Sequence, residues 1–495
     1  MVLWQVWGIF ANDWVERFLT GKEFYFKYWP FYFVQPWPGD GMNIHVALLA
    51  VFAAFVMVGL LYRFSAAATF FLLTYIFLLD RALYLNHLYL TCLIAFVMIF
   101  LPAHRSLSLD ALLRPGLRST AVPAWTLWLL RFQVAVPMFF GGVAKINSDW
   151  LRGQPLSAFL QGQTDFPVIG QFFPLPPVVW LITYGALLID LLFILYLANR
   201  RTRVFGFIFV LAFHFINSRL FDIGIFPWLM IAATLIFFPP GWPRRMLWDI
   251  RRAHPVRVPA LGLGFVLGAF IGGTLPADFS WVHIIIGGLG TAVAAYHLEE
   301  PFRRLEVEPP TDTRSTRRRG RNRRASPSPG PLPVAPAVVG KWTLALLGVW
   351  VATQMLVPLR HFVIPSNVHW TEEGYTFSWH MMLRQKPSDG FFTVTDRATG
   401  EEWTVDPAEY LTPRQQLEMP KYPDMIRQFA LYLEERFRAQ GHGDVEVRGR
   451  IAASLNGREP QLLIDPNVDL TQYRRPWLGR ADWILPLKTP LGPRN

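Results

Sequence analysis

Long apolar stretches alternate with short polar breaks along most of this chain. Runs at about 43–62, 66–80, 86–101, 125–146, 176–197, 204–222, 224–239, 259–274, 283–298 and 341–358 carry few charges. A helix of roughly 20 apolar residues crosses a bilayer's hydrocarbon core. The pattern therefore predicts a polytopic α-helical membrane protein with about 8–10 transmembrane helices, the shorter runs tilted or re-entrant. After residue 360 the pattern changes. Period-two stretches such as Phe391-Phe392-Thr393-Val394-Thr395 and Val445-Glu446-Val447-Arg448 predict strands, and Tyr422 to Arg438 predicts a helix. This C-terminal part is expected to be an α+β domain resting on the membrane.

The polar breaks give an orientation. Arg200, Arg201 and Arg203 follow one run, Arg244, Arg245, Arg251 and Arg252 another, and a cluster from Arg314 to Arg324 a third. Basic loops stay in the cytoplasm, and an even number of runs separates each pair. The expected organisation is an N-terminal interfacial segment over 1–42, a multi-helix transmembrane domain over 43–300, an Arg/Pro-rich cytoplasmic linker over 301–340, a last transmembrane helix over 341–359, and an extracytoplasmic domain over 360–495.

Composition sharpens this picture. Of 495 residues, 52% are hydrophobic and only 17% charged, against about 25% charged in soluble domains. The net charge of +12 reads as membrane orientation, not as nucleic-acid binding, because the basic clusters lie between apolar runs. Anionic lipid headgroups are the alternative partner for the arginine-rich linker. A single cysteine, Cys92, excludes an intrachain disulfide and cysteine-rich zinc sites. The first apolar stretch is short and interrupted by Asn12 and Asp13, so no cleavable leader is expected.

Ionisable residues inside spans are costly and each needs a reason. Counting sides brings several to one outer edge: Asn86 and His87 open the third run, Lys145 and Asn147 close the fourth, and His214, Asn217 and Arg219 close the sixth. The C-terminal domain is expected directly above them. Each residue has a plainer reading too. Lys145 at a helix end snorkels to headgroups, His87 and His214 are satisfied core histidines, Asp190 pins a helix, and Arg131 and Gln133 make interhelical contacts. The chemical reading is that apolar neighbours (Phe139, Phe140, Val143) favour a neutral Lys145 amine. Such an amine is a competent general base for a lipid-borne acid such as a reduced quinone. The sequence has no Gly-x-Ser-x-Gly elbow, phosphate loop, His-Glu-x-x-His or dinucleotide fingerprint.

Several ordered stretches are familiar: Leu79-Asp80-Arg81 with Asn86-His87-Leu88-Tyr89-Leu90; Gly142-Val143-Ala144-Lys145-Ile146-Asn147-Ser148-Asp149-Trp150; and Phe213-His214-Phe215-Ile216-Asn217-Ser218-Arg219-Leu220-Phe221. Trp370-Thr371, Tyr375, Ser378-Trp379, Met381-Met382 and Ile464-Asp465-Pro466 continue the series. From about residue 40 to 488 the chain resembles the vitamin K-dependent gamma-carboxylases and bacterial relatives sharing their HTTM-type transmembrane domain.

The resemblance implies a reaction of vitamin K hydroquinone (phylloquinol or menaquinol), dioxygen, carbon dioxide and a glutamate-containing protein or peptide, with no metal. Lys145 would be the initiating base, His87 catalytic beside it, and Asn86, His214 and Asn217 quinone-binding. Trp370, Tyr375 and Arg458 would contact the glutamyl substrate. It also implies an integral membrane protein, and the missing disulfide points to a bacterial inner membrane. The animal members carry a paired lysine where this chain has Ala144-Lys145, and the 259–298 hairpin does not match them. The alternatives are a quinol epoxidase or monooxygenase without carboxylation, and a non-enzymatic quinone- or lipid-binding module or transporter.

Overall fold

A computed structural model of the chain describes residues 1–119, 121–166, 169–221, 223–273, 280–298, 339–473 and 480–491. Of the linker expected at 301–340, only its last two residues fall among these. Every apolar run named above contains a helix. The main ones are α1 (Val2–Ala11), α2 (Gly41–Val58), α3 (Tyr62–Leu79), α4 (Asn86–Phe100), α5 (Ala124–Ala144), α6 (Pro176–Ala198), α7 (Arg203–Leu220), α8 (Phe226–Thr234), α9 (Arg257–Gly273), α10 (Ser280–Tyr296) and α11 (Lys341–Leu359). Among the described residues, six helices are long and apolar enough to cross a membrane, and five more apolar helices are shorter. The chain is an integral membrane protein. Large side chains such as Phe64, Phe71, Leu181, Phe209 and Phe270 stand outward on these helices, as a lipid-solvated surface requires.

The polar residues inside the bundle tie helices together. Arg131 donates to the carbonyls of Ile236, Phe237 and Phe238. Gln133 donates to Gln354 at 3.3 Å and accepts from Trp350 Nε1 at 3.1 Å, which fixes α11 to α5. The Arg131 contacts also account for the short α8: its run continues as a 3₁₀ turn at Leu235–Phe237, and the guanidinium takes the carbonyls freed there.

α9 and α10 form a close hairpin. Gly264, Gly268 and Gly272 face α10, and a Cβ on Gly268 would lie 2.2 Å from the Gly287 carbonyl oxygen. Only backbone movement could relieve that contact. Gly268→Val is therefore expected to destabilise by at least the ~1–3 kcal/mol of ordinary overpacking, read as a lower melting temperature in detergent. An unchanged melting temperature would contradict this packing.

The C-terminal unit has a four-stranded antiparallel sheet in the order β2-β1-β3-β4, with β1 Ser388–Asp396, β2 Glu402–Val405, β3 Val445–Ala453 and β4 Gln461–Leu462. Alternation puts Val445, Val447, Ile451 and Ala453 on the inner face of β3. The amphipathic helix α12 (Pro423–Ala439) covers that face with Met425, Ile426, Phe429, Leu433 and Phe437. The N-terminal segment joins this core. Phe26 is fully buried in it with Phe24 alongside, and Gln428 accepts from the Lys27 backbone N–H at 2.8 Å. Lys22 pairs with buried Asp80 at 2.6 Å, and Gln415 donates to the same carboxylate at 2.9 Å. Arg81 pairs with Asp424. These contacts seat the C-terminal unit on the N-terminal segment and the end of α3.

Candidate active site

Lys145 is the C-cap of α5. The helix ends here because the chain turns through Ile146, Asn147 and Ser148, where the Asn147 side chain accepts from the Asp149 and Trp150 backbone N–H groups. The lysine is buried. Its Nζ donates to Asp190 Oδ2 of α6 at 2.6 Å and to the Gly141 carbonyl at 3.3 Å, and lies 5.3 Å from the Trp150 ring centre. Asp190 is buried too, and its Oδ1 has no partner among the described residues. Asp190, which the sequence offered as a helix pin, is thus the partner of the candidate base.

Asn86 and His87 open α4, as expected. Asn86 accepts from Tyr84 Oη at 2.9 Å and donates weakly to the His380 carbonyl at 3.5 Å. His87 is half-buried against Gly224. That glycine has φ +56°, and a Cβ there would lie 3.6 Å from His87 Cε1. The same turn presses Phe226 against His214 of α7, with ring centres 6.0 Å apart. His214 is fully buried, and neither ring nitrogen has a partner among the described residues. Asn217 is half-buried one turn further along α7.

The loop of residues 375–382 brings the C-terminal unit into this layer. Trp379 is buried among the membrane helices, its ring centre 5.0 Å from Tyr89. Phe377 packs against Tyr28, Phe77, Tyr84 and Tyr89. A Cβ on Gly141 would meet Met381 Cε at 2.8 Å, Asp190 Oδ2 at 3.5 Å and the Trp379 carbonyl oxygen at 3.8 Å. The loop therefore lies over the Lys145–Asp190 pair on one side and touches Asn86 on the other. Phe377, Trp379 and Met382 all have positive φ, a conformation bulky residues adopt only when their surroundings enforce it.

The three outer residues expected to touch substrate are otherwise engaged. Trp370 is fully buried in the C-terminal core, with Nε1 donating to the Leu485 carbonyl at 2.7 Å. Tyr375 is buried, and its hydroxyl donates to the His380 carbonyl at 3.1 Å, holding the loop. Arg458 grips Asp149 with both terminal nitrogens, at 2.6 and 2.7 Å, and Asn456 donates to the same carboxylate at 2.9 Å. Burial alone would raise the Asp149 carboxyl. Arg458 and Asn456 outweigh it and hold the group below the usual carboxylate range. Among the described residues, no group of three or more His, Cys, Asp or Glu is placed to hold a metal ion.

Comparison with known families gives two matches. The HTTM domain matches residues 1–242, and the vitamin K-dependent gamma-carboxylase lumenal domain matches residues 339–490. The α9–α10 hairpin falls between them. No solved structure matches the chain.

Proposed function

Because the chain belongs to the vitamin K-dependent gamma-carboxylase family, we propose that it is a vitamin K-dependent glutamyl gamma-carboxylase. The observation that carries this reading is the buried Lys145–Asp190 pair under the Trp379–Met381 loop. A base in apolar surroundings, sealed by a loop from the outer unit, suits a reaction that water would quench.

A reduced quinone fits the residues present. His214 offers two unpartnered ring nitrogens, and Gly224 leaves His87 a face that a Cβ would fill. Asn86, His87, His214 and Asn217 are the groups we assign to its oxygens and ring. Reaction of the bound hydroquinone (phylloquinol or menaquinol) with dioxygen supplies a base strong enough to take the glutamyl γ-proton before carbon dioxide adds, and the quinone leaves as its 2,3-epoxide. In this scheme the unprotonated Lys145 amine accepts the hydroquinone's proton, Asp190 orients the amine and pairs with the ammonium it becomes, and Trp379 and Met381 exclude water. Tyr375 positions the loop, Trp370 supports the outer unit from within its core, and Arg458 clamps that unit to the α5 end. The same reading puts the C-terminal unit on the extracytoplasmic side of a bacterial inner membrane, with a glutamate-containing protein or peptide as partner.

The engagement of Arg458 and Trp370 favours one alternative to carboxylation, a quinol epoxidase. One assay separates the two. Purified protein in detergent is given reduced vitamin K, air, labelled bicarbonate and a glutamyl peptide. Epoxide with label fixed into peptide is the expected result. Epoxide without fixed label supports the epoxidase, and neither product from folded protein overturns both.

A further inference from the structure

α4 leaves the layer of Lys145 at Asn86 and α5 returns to it, so the segment joining them lies at the end of the bundle away from the C-terminal unit. Its polar groups turn inward. Asp110 accepts the backbone N–H groups of Leu61 and Tyr62, both at 2.9 Å. Ser108 accepts the Ala111 N–H at 3.1 Å, and the His104 ring stacks on Tyr62 at 5.2 Å. Its leucines turn outward: Leu107 is 92% exposed, Leu113 71% and Leu112 64%. Arg105, Arg114 and Arg118 are exposed among them. The helix Trp242–Arg251 lies beside this segment, with Arg244 donating to Ser106 Oγ at 3.1 Å. At about 100° per residue, Trp242, Met246, Leu247 and Ile250 share one arc of that helix. Arg244, Arg245, Arg251 and the following Arg252 share the other, and all four are exposed. Leu247 and Ile250 are exposed as well. The helix's carboxylate, Asp249, is buried and held by Tyr296 at 2.6 Å and Arg257 at 2.7 Å. The arginines of both segments thus stand outward beside bare apolar side chains, while both carboxylates are engaged within the protein.

We propose that residues 103–118 and the helix Trp242–Arg251 form one interfacial platform that binds acidic phospholipids. The arginines take the headgroup phosphates, and the leucines enter the boundary of the acyl region. A soluble polyanion would meet the arginines and leave Leu107, Leu112 and Leu113 in water. A neutral lipid would cover the leucines and leave the arginines without a counter-charge. An acidic phospholipid satisfies both at once. The position agrees. α3 begins at this end with Tyr62 and α4 ends here with Phe100, so the platform lies where the spans leave the hydrocarbon core. The inward turn of Asp110 and Asp249 removes the two groups that would repel a phosphate. Each arginine near an anionic surface multiplies lipid affinity by about fivefold before screening. The platform is independent of the chemistry at Lys145, which lies at the opposite ends of the same helices.

The test titrates full-length protein in neutral detergent with phosphatidylglycerol or phosphatidylcholine and counts bound lipid by native mass spectrometry. Wild type should bind phosphatidylglycerol about tenfold tighter or more, and the preference should shrink as salt rises. The variant Arg114→Gln/Arg118→Gln/Arg245→Gln/Arg251→Gln should lose that preference by about tenfold. Leu112→Ser/Leu113→Ser should weaken both lipids and keep the preference, because it removes only the apolar half of the site. Glycerophosphoglycerol, the same headgroup without chains, should not compete. Thermal melting checks that each variant is folded. Equal binding of the two lipids by wild type overturns the proposal, as does an undiminished preference in the four-arginine variant. Competition by the chainless headgroup at the lipid's own affinity overturns it too, since the site would then be one for a free phosphate ester. A control, Arg317→Gln/Arg318→Gln/Arg319→Gln, should leave the preference in place. If that variant alone abolishes it, the lipid is held elsewhere and the platform is not its site.

Discussion

Lys145→Ala is expected to lower quinol epoxidation by about 10²–10⁴-fold, the usual worth of a positioned general base, while reduced-quinone binding persists. The amine sits 2.6 Å from Asp190, so truncation also strands a buried carboxylate whose Oδ1 is already unpartnered. Part of any loss would then be structural, because breaking one side of a buried ion pair is destabilising. A second variant separates the effects. Lys145→Met with Asp190→Leu removes both charges and should restore the melting temperature without restoring turnover. Asp190→Asn keeps the amine but weakens its orientation and should fall between wild type and Lys145→Ala. Epoxide formation at wild-type rate in Lys145→Ala would remove Lys145 from the proposed mechanism.

The spans were legible because hydrophobic length is a one-dimensional property. Each run contains a helix, and the 341–358 run became Lys341–Leu359. Side counting also placed Asn86, His87 and Lys145 under one edge of the outer unit, since helix ends alternate whatever the packing. Partners were less legible. Nothing in the sequence links Asp190 to Lys145, because helical rotation and neighbour choice decide whether a carboxylate in one span meets an amine in another, and hydropathy carries neither. The same limit hid Asp149 as the target of Arg458, 309 residues away. A motif match also cannot separate a tryptophan that lines a site from one that fills a core, which is where Trp370 lies. The loop at 375–382 was hidden for another reason. Its left-handed residues are Phe377, Trp379 and Met382, whereas local sequence rules expect Gly or Asn there. Tertiary packing enforces that path, and it is what brings Trp379 and Met381 over the Lys145–Asp190 pair.

Breaking the Arg458–Asp149 clamp should cost the most stability of any single polar change at the interface. Both side chains are buried, the contact is bidentate, and Asn456 completes the carboxylate. Arg458→Met leaves a buried carboxylate with only the Asn456 amide and a long Ser148 hydroxyl contact among its described side-chain donors, and Asp149→Leu leaves a buried guanidinium. Each should destabilise by about 3–5 kcal/mol, whereas the double variant should recover much of the loss because well-packed apolar pairs replace buried ion pairs at little net cost. Thermal melting and limited proteolysis of the C-terminal unit read this directly. The pH dependence has a definite sign. The Asp149 carboxyl is held below its ordinary value, so its contribution is fully present above the unfolded value of about 3.9. It is lost as pH falls through the lowered folded value, so the gap between wild type and Asp149→Leu should narrow only in strong acid. With no disulfide available to the single Cys92, this clamp, with Arg81–Asp424 and Lys22–Asp80, does the work of a covalent tie. Equal melting temperatures for Arg458→Met and wild type would show that the outer unit is held elsewhere. The 375–382 loop would then be the next anchor to test, since it inserts Trp379 among the membrane helices and sets Met381 beside the Lys145–Asp190 pair.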